Sequence, residues 1–278
     1  MSDRSPGLLA GLLDDLVAET EVLTGMLAPL DDPAWERPTP APGWAIRDQV
    51  SHLAYFDDAA TLAATDPGRF RAETAALTGG LDTRGAALAD QIAGRYRQLP
   101  PAELRDWLRR ARAEYVRVLG GLDAGTRLPW YGPDMSAASS VTARLMETWA
   151  HGQDVADALG VRRPATARLR HVAHLGVATL GFSFIRNGRG VPAAPVRVEL
   201  AGPDGETWSW GPSGAPDSVT GPALDFCLAV TQRRHLDDLG LSVTGPVAAE
   251  WMSIAQAFAG PPGPGRSPGQ FPPQQEDR

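Results

Sequence analysis

The sequence predicts an α+β protein in which an antiparallel four-helix bundle precedes a smaller α+β domain. Four long segments in the first part of the chain repeat apolar residues with the spacing of an amphipathic helix. After Arg163 and Pro164 the pattern changes to short alternating stretches separated by turns, which is typical of strands. We therefore expect a bundle over 1–163, an α+β domain over 164–260 and a disordered Pro/Gly-rich tail over 261–278.

The first two helices are separated by a Pro-rich connector. Leu8, Leu12, Leu16 and Leu23 mark one face of the first helix. The connector "DDPAWERPTPAPGW" ends that helix, because proline cannot continue a helical hydrogen-bond ladder. A second helix is predicted over about 45–64.

The remaining bundle helices follow two weaker helical patterns near 70–79 and 85–98. The segment "PAELRDWLRRARAEYVRVLGGL" predicts a long helix that begins near Pro101. The last long helix contains "ARLMETWAHGQDVADALG", and its N-cap is Ser136 or Ser139. The loop before it, "LPWYGPDMS", is either a lid or a packed connection.

The C-terminal domain starts with a helix predicted over 167–185. A hairpin is expected next, with its turn at 203–205, where the sequence reads Pro-Asp-Gly. The words Val-Thr-Gly-Pro at 219–222 and 243–246 each follow a short strand pattern and open a helix. These features predict mixed strands and helices.

Composition excludes several classes of function. The net charge of −7 and the lack of a basic cluster argue against nucleic acid as a partner. All 26 basic residues are arginine, so neither Schiff-base catalysis nor a P-loop lysine is possible. The single cysteine, Cys227, allows no internal disulfide, and its apolar neighbours are typical of a core position.

No membrane segment is expected. The N-terminal stretch has acids where a signal peptide needs an apolar block. The longest apolar stretch, 172–185, is too short to span a bilayer. We therefore expect a cytoplasmic protein, either a monomer or a homodimer, with a small molecule as its partner.

Glu147 and His151 are the first candidates for chemistry, because residues four apart share one helix face. Alone, such a pair is typical of an ordinary hydrogen-bonded pair, and His52 alone is typical of a core histidine. Antiparallel helices could bring the three together as two imidazoles and a carboxylate, which suits zinc with an open fourth position. His171 and His174 lack an acidic or cysteine partner in their pattern and are interpreted as structural.

The stretch "PGWAIRDQVSHLAYFDD", followed by "ETWAHGQDVADALG", resembles the mycothiol-dependent maleylpyruvate isomerase group of the DinB-like four-helix-bundle superfamily. The resemblance covers the bundle and extends more loosely into the C-terminal domain. It implies that a divalent metal, zinc in our prediction, binds at the positions of His52, Glu147 and His151.

The resemblance also implies an actinobacterial enzyme that uses mycothiol as a thiol cosubstrate. We expect an isomerase or thiol transferase that acts on a small electrophilic, carboxylate-bearing metabolite, because a metal stabilises the thiolate at neutral pH. Two alternatives remain open at this stage. One is a metal-dependent hydrolase or lyase that needs no thiol, and the other is a non-catalytic small-molecule binding protein.

Three further residues are candidates around this site. Asp48 and Asp154 each lie about one turn from a predicted ligand, so each either orients an imidazole or belongs to a solvated helix face. The resemblance implies a carboxylate-binding arginine in the C-terminal domain, for which Arg234, and after it Arg233, is the match. Arginines at helix ends also serve as partners of the helix dipole. We expect the C-terminal domain to pack against the metal-bearing end of the bundle.

Overall fold

The computed structural model describes residues 7–78 and 86–271. The chain divides into two compact units, Met1–Arg163 and Pro164–Arg278. The first unit is mainly helical with one short two-stranded sheet, and the second carries a four-stranded sheet together with helices. The predicted α+β fold class, with a helical bundle before a smaller mixed domain, is confirmed.

The described part of the first unit contains four long helices and two shorter ones. Their bounds are α1 (Gly7–Leu27), α2 (Ile46–Thr65), α3 (Pro67–Thr78), α4 (Ala86–Tyr96), α5 (Pro101–Leu119) and α6 (Ala137–Leu159). Helix α2 packs against α5 and α6, while α1 packs against α6. The two weaker helical patterns correspond to α3 and α4, whose packing partner is also α2.

Helix ends follow the local signals in the sequence. The Ser136 side chain accepts the backbone N–H of Ser139 at 3.1 Å, so Ser136 is the N-cap of α6. Gly160 ends the same helix with φ 67°, a left-handed conformation that glycine adopts without steric cost. In the Pro-rich connector, a short 3-10 helix (Asp32–Glu36) buries Trp35 completely.

A buried ionic network joins α2 to α5 and α6. Asp57 of α2 is fully buried, and its carboxylate accepts hydrogen bonds from Nε of Arg112 at 2.7 Å and Nε of Arg144 at 2.9 Å. Both guanidinium groups are also almost completely buried. Buried charges are tolerated only when partners compensate for lost hydration, so these contacts constrain how the three helices pack.

Other donors of the two arginines bond within the same network. Arg112 donates to the hydroxyl of Thr20 in α1 and, at 3.0 Å, to the hydroxyl of Thr148 in α6. Arg144 donates to the backbone carbonyl of Leu53 in α2 at 3.1 Å. All four long helices therefore contribute to one buried hydrogen-bonded centre.

The loop before α6 is packed against the bundle. Strands β1 (Arg127–Leu128) and β2 (Met135–Ser136) pair in antiparallel fashion and hold its two ends together. Between them, the Trp130 ring stacks on Phe70 of α3 at 5.9 Å, and Tyr131 contacts the same ring edge-on at 5.3 Å. Of the two interpretations left open by the sequence, the packed connection describes this loop.

The second unit combines helices with a mixed sheet. Its elements are α7 (Leu169–Ala178), α8 (Leu180–Arg186), β3 (Val196–Ala201), β4 (Thr207–Trp210), β5 (Asp217–Pro222), α9 (Ala223–Val230), β6 (Ser242–Thr244) and α10 (Pro246–Ile254). The strand order is β4-β3-β5-β6. Strand β3 pairs antiparallel with β4 and parallel with β5, and β5 pairs antiparallel with β6. The predicted hairpin links β3 to β4, with Gly205 at φ 84°.

The two Val-Thr-Gly-Pro words need glycine for conformational reasons. Gly221 and Gly245 have φ values of 144° and 89°, which L side chains rarely adopt. A Cβ atom on Gly245 would also lie 2.3 Å from Oδ1 of Asp217. That oxygen accepts the N–H groups of Val247 and Ala248 at 2.7 and 3.0 Å, so a side chain of β5 satisfies the first turn of α10.

The helix predicted over 167–185 is interrupted at Thr179. The Thr179 hydroxyl donates to the carbonyls of Leu175 and Gly176 at 2.9 and 3.1 Å, and the chain resumes as α8. Such back-bonding by threonine weakens helical continuity. The prediction of one continuous helix was therefore wrong at this position.

Cys227 is fully buried, and burial raises the pKa of its thiol, as expected for a core cysteine. In the tail predicted to be disordered, the N–H of Gly269 donates to Oδ1 of Asp238 at 2.7 Å. Residues 272–278 lie outside the described part of the chain, and disorder there stays a prediction. Among the described helices, none has both the length and the apolar character that a bilayer crossing requires.

The ionic network makes a testable contribution to stability. Asp57→Asn should lower the free energy of unfolding by about 3–5 kcal/mol, because two buried guanidinium groups lose their anionic partner. Urea unfolding followed by circular dichroism measures the change. The matched control is Asp106→Asn on exposed α5 surface, which should stay within about 0.5 kcal/mol of the parent. A loss at Asp57 no larger than the control would show that the network does not hold the bundle.

Candidate metal centre

Helices α2 and α6 bring His52, Glu147 and His151 together. Oε2 of Glu147 lies 3.0 Å from Nε2 of His151 and 3.5 Å from Nε2 of His52. The two imidazole rings are 4.4 Å apart between centroids. In the described part of the chain, these residues form the one group of three or more His, Cys, Asp or Glu side chains whose ligand atoms converge, within 4.8 Å of one another. His171 and His174 belong to no such group.

The environment determines the charge of these side chains. Burial, and then the neighbouring His151, lower the pKa of His52 from 6.5 to about 4, so this imidazole is neutral at pH 7. Burial alone would raise the pKa of Glu147. Hydrogen bonds from His151 and His52 outweigh that effect and hold the pKa well below its ordinary value. A carboxylate anion therefore faces a neutral imidazole.

Gln49 orients the second imidazole. Its amide oxygen is hydrogen-bonded to Nδ1 of His151, and both side chains are buried. The Gln49 amide nitrogen in turn donates to the Thr39 hydroxyl at 2.8 Å, which fixes the amide. With Nδ1 donating to Gln49, Nε2 of His151 points at the Glu147 carboxylate. Such partners fix the orientation of metal-binding histidines.

Asp48 does not have the predicted role. Its carboxylate accepts the N–H of Ala45 at 2.8 Å, at the start of α2, and pairs with Nε of Arg97 at 3.0 Å. Nδ1 of His52 is buried and has no hydrogen-bond partner among the described residues. Asp48 therefore stabilises the helix end instead of orienting His52. The acid at this position satisfies an unpaired backbone donor of the first turn.

The other two predicted residues occupy different surroundings. Asp154 is fully buried in α6, and an orienting role for it stays a prediction. Arg234 lies in the second unit just after α9 and is half-buried. Its guanidinium lies 3.9 Å from the centroid of the Phe271 ring and donates to the carbonyl of Arg233. Binding of a substrate carboxylate by Arg234 likewise stays a prediction.

Aromatic side chains pack against the cluster. The Trp44 ring stacks on His151 at 5.9 Å and contacts His52 at 5.4 Å. The Phe56 ring lies 4.6 Å from His52. The indole N–H of Trp44 donates to Asp90 of α4 at 2.7 Å, which anchors this wall. With these rings packed nearby, His52 and His151 are each only 8% exposed, and such burial strengthens electrostatic interactions within the cluster.

The donor set fits a divalent metal. Because Nδ1 of His151 carries a proton that it donates to Gln49, two states of Nε2 are compatible with the facing Glu147 carboxylate. In one, Nε2 also carries a proton and the ring is an imidazolium. In the other, Nε2 presents a lone pair, and a cation between the two atoms is required. Ligand atoms 2.0–2.1 Å from a tetrahedral zinc ion lie about 3.3–3.4 Å from each other. The separations of 3.0 and 3.5 Å are close to that value. Two imidazoles and one carboxylate leave a fourth position open, as in catalytic zinc sites.

The sequence pointed to the three converging residues but not to the residues around them. Gln49, three residues before His52 on α2, was missed because a neutral amide carries no signal of an orienting role in the sequence. Trp44 and Phe56 carried a weak signal, since both lie within the quoted "PGW…HLAYF" stretch. The Asp57 network had no local signal, because its partners lie far apart in the chain.

Comparison with known proteins places these features in a family context. A family model described as the mycothiol maleylpyruvate isomerase N-terminal domain matches residues 16–156, and one described as wyosine base formation matches 192–243. Proteins called uncharacterized in two strains of Mycobacterium tuberculosis are 51% identical over 267 residues, which covers 96% of this chain and all of each relative.

Similarity to solved structures concerns the fold. Two crystal structures of a mycothiol-dependent maleylpyruvate isomerase, one of them a histidine-to-alanine mutant, superpose with a TM-score of 0.57 at 16% identity. The matches cover 84% of this chain and 92% of the solved chain. At this identity the similarity shows a shared fold.

The shifted pKa of His52 predicts a pH dependence of the metal-free protein. Its imidazole should titrate near pH 4 in the folded state and near 6.5 in the unfolded state. The unfolded chain then binds more protons than the folded chain between these pH values. The contribution of the neutral His52 to the free energy of unfolding is therefore fully present above about pH 6.5 and is lost as the pH falls towards about 4.

Histidine NMR titration, with His52→Gln to assign the resonance, measures the pKa directly. Denaturant unfolding of both proteins across this pH range tests the stability slope, which should be reduced in His52→Gln. Titration of His52 at or above 6.5 would contradict the electrostatic description of the cluster.

Proposed function

The chain belongs to the mycothiol maleylpyruvate isomerase family, and from this premise we propose that it is a divalent-metal-dependent isomerase or thiol transferase that uses mycothiol. The substrate in this proposal is a small electrophilic metabolite that carries a carboxylate. The observation that carries the proposal is the convergence of two imidazole nitrogens and one carboxylate oxygen within the family's helical domain.

In this proposal, His52, Glu147 and His151 hold the ion, with zinc as the expected metal. When bound, the metal supplies positive charge that lowers the pKa of a thiol and stabilises the thiolate at neutral pH. Glu147 contributes a negative charge without needing to lose a proton, and His52 offers a neutral nitrogen. Gln49 holds the His151 ring in the orientation that the cluster requires.

The thiol must come from a cosubstrate. The only cysteine, Cys227, is fully buried, its pKa is raised by burial, and the chain has no lysine nucleophile. The cosubstrate thiolate adds to a carbon of a conjugated double bond, forming a C–S bond while the electron pair moves towards the conjugated carbonyl. Rotation about the resulting single bond and expulsion of the thiolate give the isomer, with no net redox change. In the transferase variant, the adduct takes up a proton and leaves as the conjugate.

Substrate orientation requires a partner for the carboxylate. We propose Arg234 for this role, since a guanidinium can bind a carboxylate through two parallel hydrogen bonds. Stacking on Phe271 supports the proposal because it restricts the side chain before a ligand binds. Trp44 and Phe56 restrict water around the histidines, which protects a reactive adduct from hydrolysis.

Metal binding is the first consequence that can be measured. Protein purified without chelator should hold about one divalent ion per chain, and zinc should raise the melting temperature of the stripped protein. His52→Ala and His151→Ala should abolish retention, while Gln49→Ala should weaken affinity about 10–100-fold. The matched control is His174→Ala, an exposed histidine on α7. Metal analysis showing equal retention in the control and in His52→Ala would contradict the assigned ligands.

Thiol dependence is the second consequence. The metal-loaded protein should convert an electrophilic unsaturated acid only when mycothiol is present, and Glu147→Ala should abolish this turnover because a ligand is lost. Product formation is followed by chromatography with and without the thiol. Turnover that persists after the thiol is removed would instead favour a metal-dependent hydrolase or lyase.

A further inference from the structure

A second feature of the bundle lies next to the histidine cluster. A cleft of about 280 Å³ opens between α2, α3, α4 and α5. Five aromatic side chains contribute to its wall: Tyr55, Phe70, Tyr96, Trp107 and Tyr131. All of these except Phe70 are only partly buried, so part of each remaining ring is accessible.

One aromatic side chain contacts both the cluster and the cleft wall. The Phe56 ring lies 4.6 Å from the His52 ring and 5.6 Å from the ring of Tyr131, which lines the cleft. Tyr55 follows His52 by three residues and therefore lies near the same face of α2. A ligand whose reactive group reaches His52 can place its remaining part in the cleft.

The polar groups of the cleft define the ligand chemistry. The indole N–H of Trp107 donates to Oδ2 of Asp58 at 2.6 Å, which positions this exposed carboxylate at the aromatic wall. Arg69 and Glu73 also line the cleft and pair with each other at 2.7 Å. Two carboxylates against one paired guanidinium disfavour an anionic ligand, while carboxylates accept hydrogen bonds from hydroxyl groups.

Aromatic faces combined with carboxylates suit a neutral ring that carries many hydroxyl groups. The C–H faces of such a ring pack on the aromatic side chains, and its hydroxyls bond to the polar groups. Mycothiol carries its cysteine on a glucosamine–inositol pseudodisaccharide through an amide to the glucosamine nitrogen, so this part of the molecule is uncharged and has this chemistry. We propose that the cleft binds the pseudodisaccharide of the thiol cosubstrate, an inference that rests on the proposed function.

The test separates binding in the cleft from chemistry at the metal. The N-acetylglucosamine–inositol pseudodisaccharide, which has no thiol and whose nitrogen is acylated and uncharged as in mycothiol, is titrated into the full chain by calorimetry, with and without metal. Binding should be the same in both cases. Asp58→Asn should weaken it about 2–10-fold, the range expected for one hydrogen bond. Trp107→Leu, which removes the ring face and the anchor of Asp58, should weaken it about tenfold or more.

Asp106→Asn is the matched control, because Asp106 is exposed on α5, the helix that carries Trp107, and does not line the cleft. This variant should bind like the parent. Circular dichroism and melting temperature report whether Trp107→Leu remains folded, and the exposed Asp58 variant tests the proposal independently of it. Absence of binding overturns the proposal, and so does equal affinity in Asp58→Asn and the parent. Tight binding of cinnamate, an aromatic carboxylate, in place of the pseudodisaccharide would also overturn it.

The outcomes are distinguishable from failure of the proposed function. If the pseudodisaccharide binds, its binding is lost in the cleft variants and the protein shows no thiol-dependent turnover, the cleft assignment is supported and the proposed reaction is rejected. Thiol-dependent turnover in a protein that does not bind the pseudodisaccharide would preserve the reaction and remove the cleft assignment.

Discussion

The bundle depends on the buried carboxylate of Asp57. This one anion bonds two buried guanidinium groups, Arg112 and Arg144, which belong to different helices. Placing these charges in a helical core is unfavourable unless their contacts form together, because each unpaired charge would lose hydration without compensation. Since Thr20 and Thr148 complete the network, a shift of any one long helix would break several of these contacts.

The cluster of His52, Glu147 and His151 depends on that arrangement. Glu147 and His151 are placed together by the helical repeat of α6 alone, whereas His52 must be brought from α2. Arg144 lies three residues before Glu147 and bonds the carbonyl of Leu53, the residue after His52. The same contact that satisfies a buried arginine therefore aligns the two helices that carry the cluster. A rigid donor set of this kind would bind a metal without the cost of ordering its ligands.

Local signals explain which features the sequence could predict. Helical periodicity and caps such as Ser136 located the long helices, and the Pro-Asp-Gly turn located the β3–β4 hairpin. Contacts between distant segments were harder, because local patterns do not specify them. Asp48 and Gln49 are adjacent in α2, and only the packing of α2 against α6 shows that Gln49 reaches His151 while Asp48 bonds Ala45 and Arg97. The parallel pairing of β3 with β5 had no such local signal either.

The central claim is that His52, Glu147 and His151 form one metal site. X-ray absorption at the metal edge of the loaded protein tests it most directly. The account predicts two imidazole nitrogens and one carboxylate oxygen at about 2.0–2.2 Å, with a remaining position filled by a light exchangeable ligand. Adding mycothiol should then introduce one sulfur at about 2.3 Å. A spectrum without imidazole scattering, or one with protein sulfur before the thiol is added, would contradict the account.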